Sequence, residues 1–144
     1  MPDLSYTMMS MQSMLHRRLM KGLEDTGLSA GQPKVLAYLK SHEGRCQKEI
    51  ASACLIEPGS LTVLLNRMEK QGLVERRREG QNRRNCFIYL TERGRELAAE
   101  VVDTFYEVEN QALTGLSEEE QAAFAKLCDR IIENLKTEES IENG

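Results

Sequence analysis

Basic side chains are concentrated in one short segment of a chain that is otherwise acidic. The 144 residues carry a net charge of −4. Between Asn66 and Arg95, however, nine lysines and arginines accompany four acids, whereas residues 96–144 hold thirteen acids and three bases. A local excess of basic side chains favours binding of phosphate groups, so the pattern indicates a polyanion site in this segment. From charge alone, a solvated charged hairpin is an equally good interpretation.

Other kinds of chemistry have little support in the sequence. It contains no glycine-rich phosphate loop and no Gly-x-Ser-x-Gly motif, so we expect neither an enzyme nor a bound cofactor. His16 and His42 are isolated from one another, and we therefore expect no metal site. The four cysteines form no Cys-x-x-Cys pair, and the chain shows neither a signal peptide nor a membrane helix. These features predict a cytoplasmic protein that does not bind membranes.

Two short helices precede the basic segment and must position it. The hydrophobic pattern predicts helices over about 47–54 and 58–71, the second opened by Pro58 and ended by Gly72. Such a pair, joined by a tight turn, indicates a helix-turn-helix. The apolar face of the second helix consists of Leu61, Leu64, Leu65 and Met68.

A β-hairpin is predicted immediately after these helices. Residues 73–78 and 83–90 flank a connection that contains Gly80 and Asn82, and residues 86–90 are rich in β-branched and aromatic side chains. The basic residues cluster toward the turn, which is where a hairpin that contacts phosphates would carry them. Helical periodicity returns after Gly94.

The terminal segments are predicted to form amphipathic helices. Ser29 with Gln32, and Ser117 with Glu120, have the spacing of capping boxes. We divide the chain into an N-terminal dimerisation helix (1–28), a helix-turn-helix region with its basic hairpin (29–95) and C-terminal dimerisation helices with a frayed tail (96–144), all within one integrated domain. Packing of the terminal helices onto their own chain is the alternative to a two-fold dimer. The predicted dimer interface comprises Leu4, Met8, Met11, Leu15, Phe124, Leu127, Ile131 and Leu135.

Residues 47–94 resemble the multiple-antibiotic-resistance regulator (MarR) family of winged-helix transcription factors. The similarity lies in the order and spacing of the motifs at 47–51, 66–76, 82–84 and 90–94, and the flanking helices extend it over most of the chain. The resemblance implies a mainly α fold with a small β-hairpin wing. It also implies a homodimeric bacterial or archaeal regulator, most often a repressor, that binds a pseudo-palindromic operator in double-stranded DNA. A small-molecule effector or an oxidant would release it.

The predicted recognition helix reads the major groove with the face opposite its apolar stripe. Thr62 and Val63 would contact a thymine methyl group, and Asn66 or Arg67 would make polar contacts, unless Arg67 forms a structural ion pair. Backbone or minor-groove contacts are expected from Gln47, Lys48, Arg78, Arg83 and Arg84. The recognition-helix candidates are Gly59, Ser60, Thr62, Val63, Asn66, Arg67 and Lys70.

Three positions leave alternatives open. Asn82 stands where relatives often carry Asp, and Glu57 occupies the expected cap of the recognition helix, where we expect it to point into solvent and interact with the helix dipole. Cys46 lies at a helix N-terminus beside Arg45 and is either a redox sensor or an inert small residue. The competing function is a winged-helix protein–protein interaction module without specific DNA binding.

Overall fold

The computed structural model describes residues 3–79 and 86–142, with side chains described as far as Lys136. The chain divides into two compact units, Met1–Val108 and Glu109–Gly144. The prediction of a mainly α fold with a small β wing is confirmed. In chain order the elements are α1 (Leu4–Gly22), a 3-10 turn (Glu24–Thr26), α2 (Gln32–Ser41), β1 (Arg45–Cys46), α3 (Gln47–Cys54), α4 (Pro58–Lys70), β2 (Val74–Arg78), β3 (Cys86–Leu90), α5 (Glu92–Ala112) and α6 (Glu118–Glu142).

The sheet has three antiparallel strands in the order β1-β3-β2. In the hairpin, Val74 pairs with Leu90 and Arg78 pairs with Cys86, which confirms the predicted strands over residues 74–78 and 86–90. The strand β1, whose Arg45 pairs with Ile88, was not predicted, because two residues are too few to show an alternating pattern. Residues 80–85, which include most of the predicted connection and the first three residues of the predicted second strand (83–90), lie outside the described residues.

The core of the first unit joins α2, α3 and α4 to the sheet. The predicted apolar face of α4 is confirmed, with Leu64 partly buried and the other three side chains fully buried. Complete burial of a large apolar side chain contributes about 1.5–3 kcal/mol, so this face fixes α4 against the sheet. Fully buried residues that pack around it include Leu36, Leu39, Ile50 and Ile88.

Helix α2 begins differently from its prediction. The N-cap of α2 is Gly31, and no side chain caps the helix. The predicted capping box, in which Ser29 and Gln32 would each cap the other's backbone N–H, is therefore wrong. One half exists, since the Ser29 backbone N–H donates to Gln32 Oε1 at 3.0 Å. Gln32 is completely buried, and its Nε2 donates to Gln71 Oε1 at the end of α4 (2.9 Å). The side chain therefore links α2 to α4.

Helix α5 also begins earlier than expected. It starts at Glu92, and Gly94, which we expected to precede the helix, is a buried residue inside its first turn. Thr91 caps the start of the helix, because its Oγ1 accepts a hydrogen bond from the Gly94 backbone N–H (3.0 Å). Residues of α5 up to Val108 belong to the first unit.

The second unit contains α6, whose predicted capping box is confirmed. The Ser117 N–H donates to Glu120 Oε1 at 3.0 Å, and the Glu120 N–H donates to Ser117 Oγ at 3.1 Å. The hydrogen bond from the Ser117 backbone lowers the pKa of Glu120 below its ordinary value of 4.5. Across the described residues, no helix is both long and apolar enough to cross a membrane.

Candidate nucleic-acid interface

Helix α4 turns one polar face away from the core. Every residue predicted to lie on that face is exposed, including Val63, which keeps 64% of its accessible surface. Arg67 and Lys70, in the last turn, make no ion pair with any residue the structure describes, so the structural ion pair considered for Arg67 is not seen. The geometry therefore leaves an exposed helical face with two cations that pair with none of the described carboxylates.

The start of α4 is capped by Glu57. Its carboxylate accepts hydrogen bonds from the Ser60 backbone N–H (3.1 Å) and the Ser60 hydroxyl (3.3 Å). Glu57 is exposed and lies at the start of the helix, as expected, and it also caps the helix directly, because its longer side chain reaches the same N–H that Ser or Asp would cap. Hydrogen bonds from the backbone N–H groups of Gly59 and Ser60 lower the pKa of Glu57 below 4.5.

Thr62, in the second turn of α4, has a hydroxyl that both donates and accepts a hydrogen bond. Its hydroxyl donates to the Pro58 carbonyl at 3.1 Å and accepts from Gln47 Nε2 at 3.1 Å. Gln47 is the first residue of α3, so this contact joins the two helices of the helix-turn-helix. The hydroxyl proton of Thr62 is already used within the protein.

Arg76, on β2, contacts both helices of the helix-turn-helix. Its guanidinium lies 2.9 Å from Asn66 Oδ1, 3.3 Å from Glu69 Oε1 and 3.4 Å from Gln47 Oε1. No role for Arg76 of its own is predictable from the sequence. In the sequence it is one arginine in a run of three, and nothing there distinguishes it from its neighbours.

The next two arginines of β2 differ from Arg76. Arg77 forms an ion pair with Glu75 and lies 4.2 Å over the ring of Tyr89, and the hydrogen bond to Glu75 raises its pKa. Arg78 is exposed, and none of the described carboxylates pairs with it. It is therefore a candidate phosphate ligand. The other predicted wing contacts, Arg83 and Arg84, lie outside the described residues, as does Asn82.

Lys48 and Cys46 lie at the start of α3. Lys48 is exposed, as a backbone contact requires. Cys46 is the N-cap, as predicted, but its side chain makes no capping hydrogen bond. The neighbouring Arg45 pairs with Glu49 at 3.7 Å, so its charge is shared with a carboxylate. By contrast, Cys54 is buried, and burial raises the pKa of its thiol.

The comparisons with known proteins agree with this geometry. The sequence model of the MarR family matches residues 26–85. The crystal structure of the transcriptional regulator PA3341 is 31% identical, with a TM-score of 0.85, over 94% of this chain and 99% of that one. The chain belongs to the MarR family. The family resemblance inferred from the sequence is thereby confirmed.

Two other known proteins are similar to this chain along most of their length. The transcriptional repressor MdtR of Bacillus subtilis is 25% identical, over 96% of this chain and 90% of its own. The structure of S. aureus MepR in complex with DNA is 26% identical, with a TM-score of 0.85, over 92% of this chain and 98% of that one. MdtR is a transcriptional repressor, and MepR is bound to DNA in its structure.

Proposed function

We propose that this MarR-family protein is a homodimeric transcriptional regulator, most simply a repressor, that binds a pseudo-palindromic operator through α4. The observation that carries the proposal is the exposed face of α4, held by a buried apolar stripe and bordered by Arg67 and Lys70, which form no ion pair within the described part of the chain. The DNA-bound structure of the similar protein MepR supports it. A cytoplasmic location and release by a small molecule or an oxidant are parts of the proposal.

The chemistry of α4 suits the major groove. A helix of this size fits that groove, where base edges are distinguishable. The small residues Gly59 and Ser60 permit close approach at the N-terminal end, and Thr62 and Val63 supply methyl groups. Near the C-terminal end, Arg67 and Lys70 supply charge for the phosphates. Gln47, Lys48 and Arg78 would contact the flanking backbone or minor groove.

Dimerisation would supply the two-fold symmetry that a pseudo-palindrome requires. The predicted interface residues of α1 are all exposed in the single chain, from Leu15 at 39% to Leu4 at 67%. Those of α6 are also exposed, from Ile131 at 39% to Leu135 at 54%. Apolar stripes of this length are covered by a partner in a stable protein, and a second copy of the chain is the simplest partner.

A salt titration separates DNA binding from the competing protein–protein module. We expect the affinity for random duplex to fall steeply as salt rises, because each phosphate contact releases counterions. Arg67→Ala, Lys70→Ala and Arg78→Ala should each lower the slope of log affinity against log salt by about one. Lys126→Ala on α6 is the matched control and should leave the slope unchanged. A flat response in the unmodified protein would favour the interaction module.

A further inference from the structure

The three contacts of Arg76 determine how two neighbouring side chains are oriented. A guanidinium only donates hydrogen bonds, so the amide atoms that face it must be oxygens. Asn66 Oδ1 (2.9 Å) and Gln47 Oε1 (3.4 Å) are those atoms. The amide nitrogens of both residues consequently point away from Arg76, and that of Gln47 donates to Thr62.

The orientation of Gln47 also determines which hydrogen bonds form at the start of α4. With its oxygen toward Arg76, Gln47 donates from Nε2 to Thr62 Oγ1, and Thr62 gives its one hydroxyl proton to the Pro58 carbonyl. A continuous series of hydrogen bonds therefore leads from the Arg76 guanidinium to Gln47 on α3, and from Gln47 to Thr62 on α4. The bonds of Arg76 to Asn66 and Glu69 hold the second half of α4 at the same time.

We infer that Arg76 is the positioning residue of the reading face, because it makes Asn66 present its N–H groups, rather than its oxygen, to DNA. This inference rests on the proposed function. The adenine contact typical of asparagine uses both amide atoms. Here the oxygen already accepts a charge-assisted bond, so donation from Nδ2 is the stronger remaining interaction. Asn66 therefore favours a base whose major-groove edge accepts hydrogen bonds, such as guanine through O6 and N7 or thymine through O4.

Arg76 is partly shielded, with 22% of its side chain exposed, whereas the Arg77 side chain is 49% exposed and contacts Glu75 and Tyr89 instead. These adjacent arginines on one strand form a matched pair. A lysine at either position keeps the charge but cannot hold several oxygens in one plane. The charge-retaining variants therefore separate positioning from electrostatic attraction.

The test compares Arg76→Lys with Arg77→Lys. For each protein, affinity is measured for a duplex selected by the unmodified protein and for a random duplex, over a range of salt. We expect Arg76→Lys to reduce the ratio of selected to random affinity about tenfold or more. Arg77→Lys should change the ratio less than about threefold, and both variants should keep the salt slope of the unmodified protein. Equal loss in the two variants, or no loss in either, would overturn the inference.

Asn66→Asp tests the donor role directly. The aspartate keeps an oxygen for Arg76 but has no N–H to offer, so we expect loss of discrimination at one base pair in each half-site. Unchanged discrimination at every position would contradict the donor role. In Arg76→Gln, the slope of log affinity against log salt should stay unchanged. If it falls by about one there, but not in Arg77→Gln, Arg76 itself contacts phosphate, which would contradict a positioning role.

A measurement without DNA keeps this inference separate from the proposed function. In the nitrogen-15 spectrum of the free protein, the side-chain amide signals of Gln47 and Asn66 should both move in Arg76→Lys and stay in place in Arg77→Lys. The unfolding midpoint of each variant confirms that it is folded. If the unmodified protein fails to bind DNA, the proposed function fails, while the amide signals still report whether Arg76 orients both residues. Unmoved signals in folded Arg76→Lys would overturn the positioning role.

Discussion

The backbone carbonyl of Leu73 occupies the space that a side chain at Gly94 would need. A β-carbon at position 94 would lie 1.9 Å from the Leu73 oxygen. Thr91 explains the close approach, because its N–H donates to the Leu73 carbonyl (3.0 Å) and its hydroxyl donates to the Gly72 carbonyl (2.6 Å). The start of the wing is thereby fixed to the first turn of α5.

Gly94→Ala should destabilise the protein strongly. The added methyl group meets backbone, which cannot move aside as a flexible side chain can, so we expect a loss of about 3 kcal/mol, the upper end of overpacking costs. Urea unfolding measures it. Gly59→Ala is the control, since its β-carbon would meet just the Glu57 side chain, 3.2 Å away, and we expect a change within about 1 kcal/mol. Similar stability in the two variants would contradict the packing described for Gly94.

Glu57→Gln should lower the melting temperature by an amount that depends on pH. The folded-state pKa of Glu57 lies below its ordinary value of 4.5, so the ionised carboxylate stabilises the folded protein above that value. This stabilisation is lost as pH falls through the lower, folded-state pKa. We therefore expect the difference between variant and unmodified protein to be largest near pH 7 and to shrink in acid below 4.5. A difference that stays constant with pH would show that Glu57 does not cap α4.

Cys46→Ser should stabilise the protein. The backbone at Cys46 already has the extended conformation of an N-cap (φ −77°, ψ 162°), and a serine hydroxyl accepts the N–H bond that the thiol does not. We expect a gain of about 0.5–1 kcal/mol in the free energy of unfolding. Cys86→Ser is the control, because Cys86 is a half-buried strand residue that caps no helix. A gain in the control as large as that in Cys46→Ser would count against the capping explanation.

Leu127→Asp combined with Ile131→Asp should abolish the dimer. Both side chains are exposed on α6 in the single chain, and a charge at each position would have to be buried without a partner in the proposed interface. Sedimentation should find monomer or unfolded chain. Ala122→Asp, at an exposed position on the opposite side of α6, should remain dimeric. A folded dimer in the double variant would exclude this part of α6 from the interface.

The elements that position the candidate site were largely predictable from sequence. Pro58 and Gly72 mark both ends of α4, and the apolar spacing between them identifies the buried face. These signals are local, since each depends on residues within a few positions of one another. The capping box of α6 was found for the same reason.

The features that sequence did not reveal depend on contacts between distant residues. Arg76 reaches Gln47, which is 29 positions away, and Gln32 reaches Gln71, which is 39 positions away. Gly94 resembles a helix breaker until the position of Leu73 is known. Proximity along the chain predicts none of these contacts, because the fold brings the partners together.

Selection of bound fragments from random double-stranded DNA shows whether this protein binds a specific operator as a dimer. We expect one enriched pseudo-palindromic site, whose half-site centres are about one helical turn apart. In each half-site, the base nearest Asn66 should be one whose major-groove edge accepts hydrogen bonds. Recovery of fragments without an enriched sequence, or of a single site without two-fold symmetry, would contradict specific operator binding by a dimer through α4.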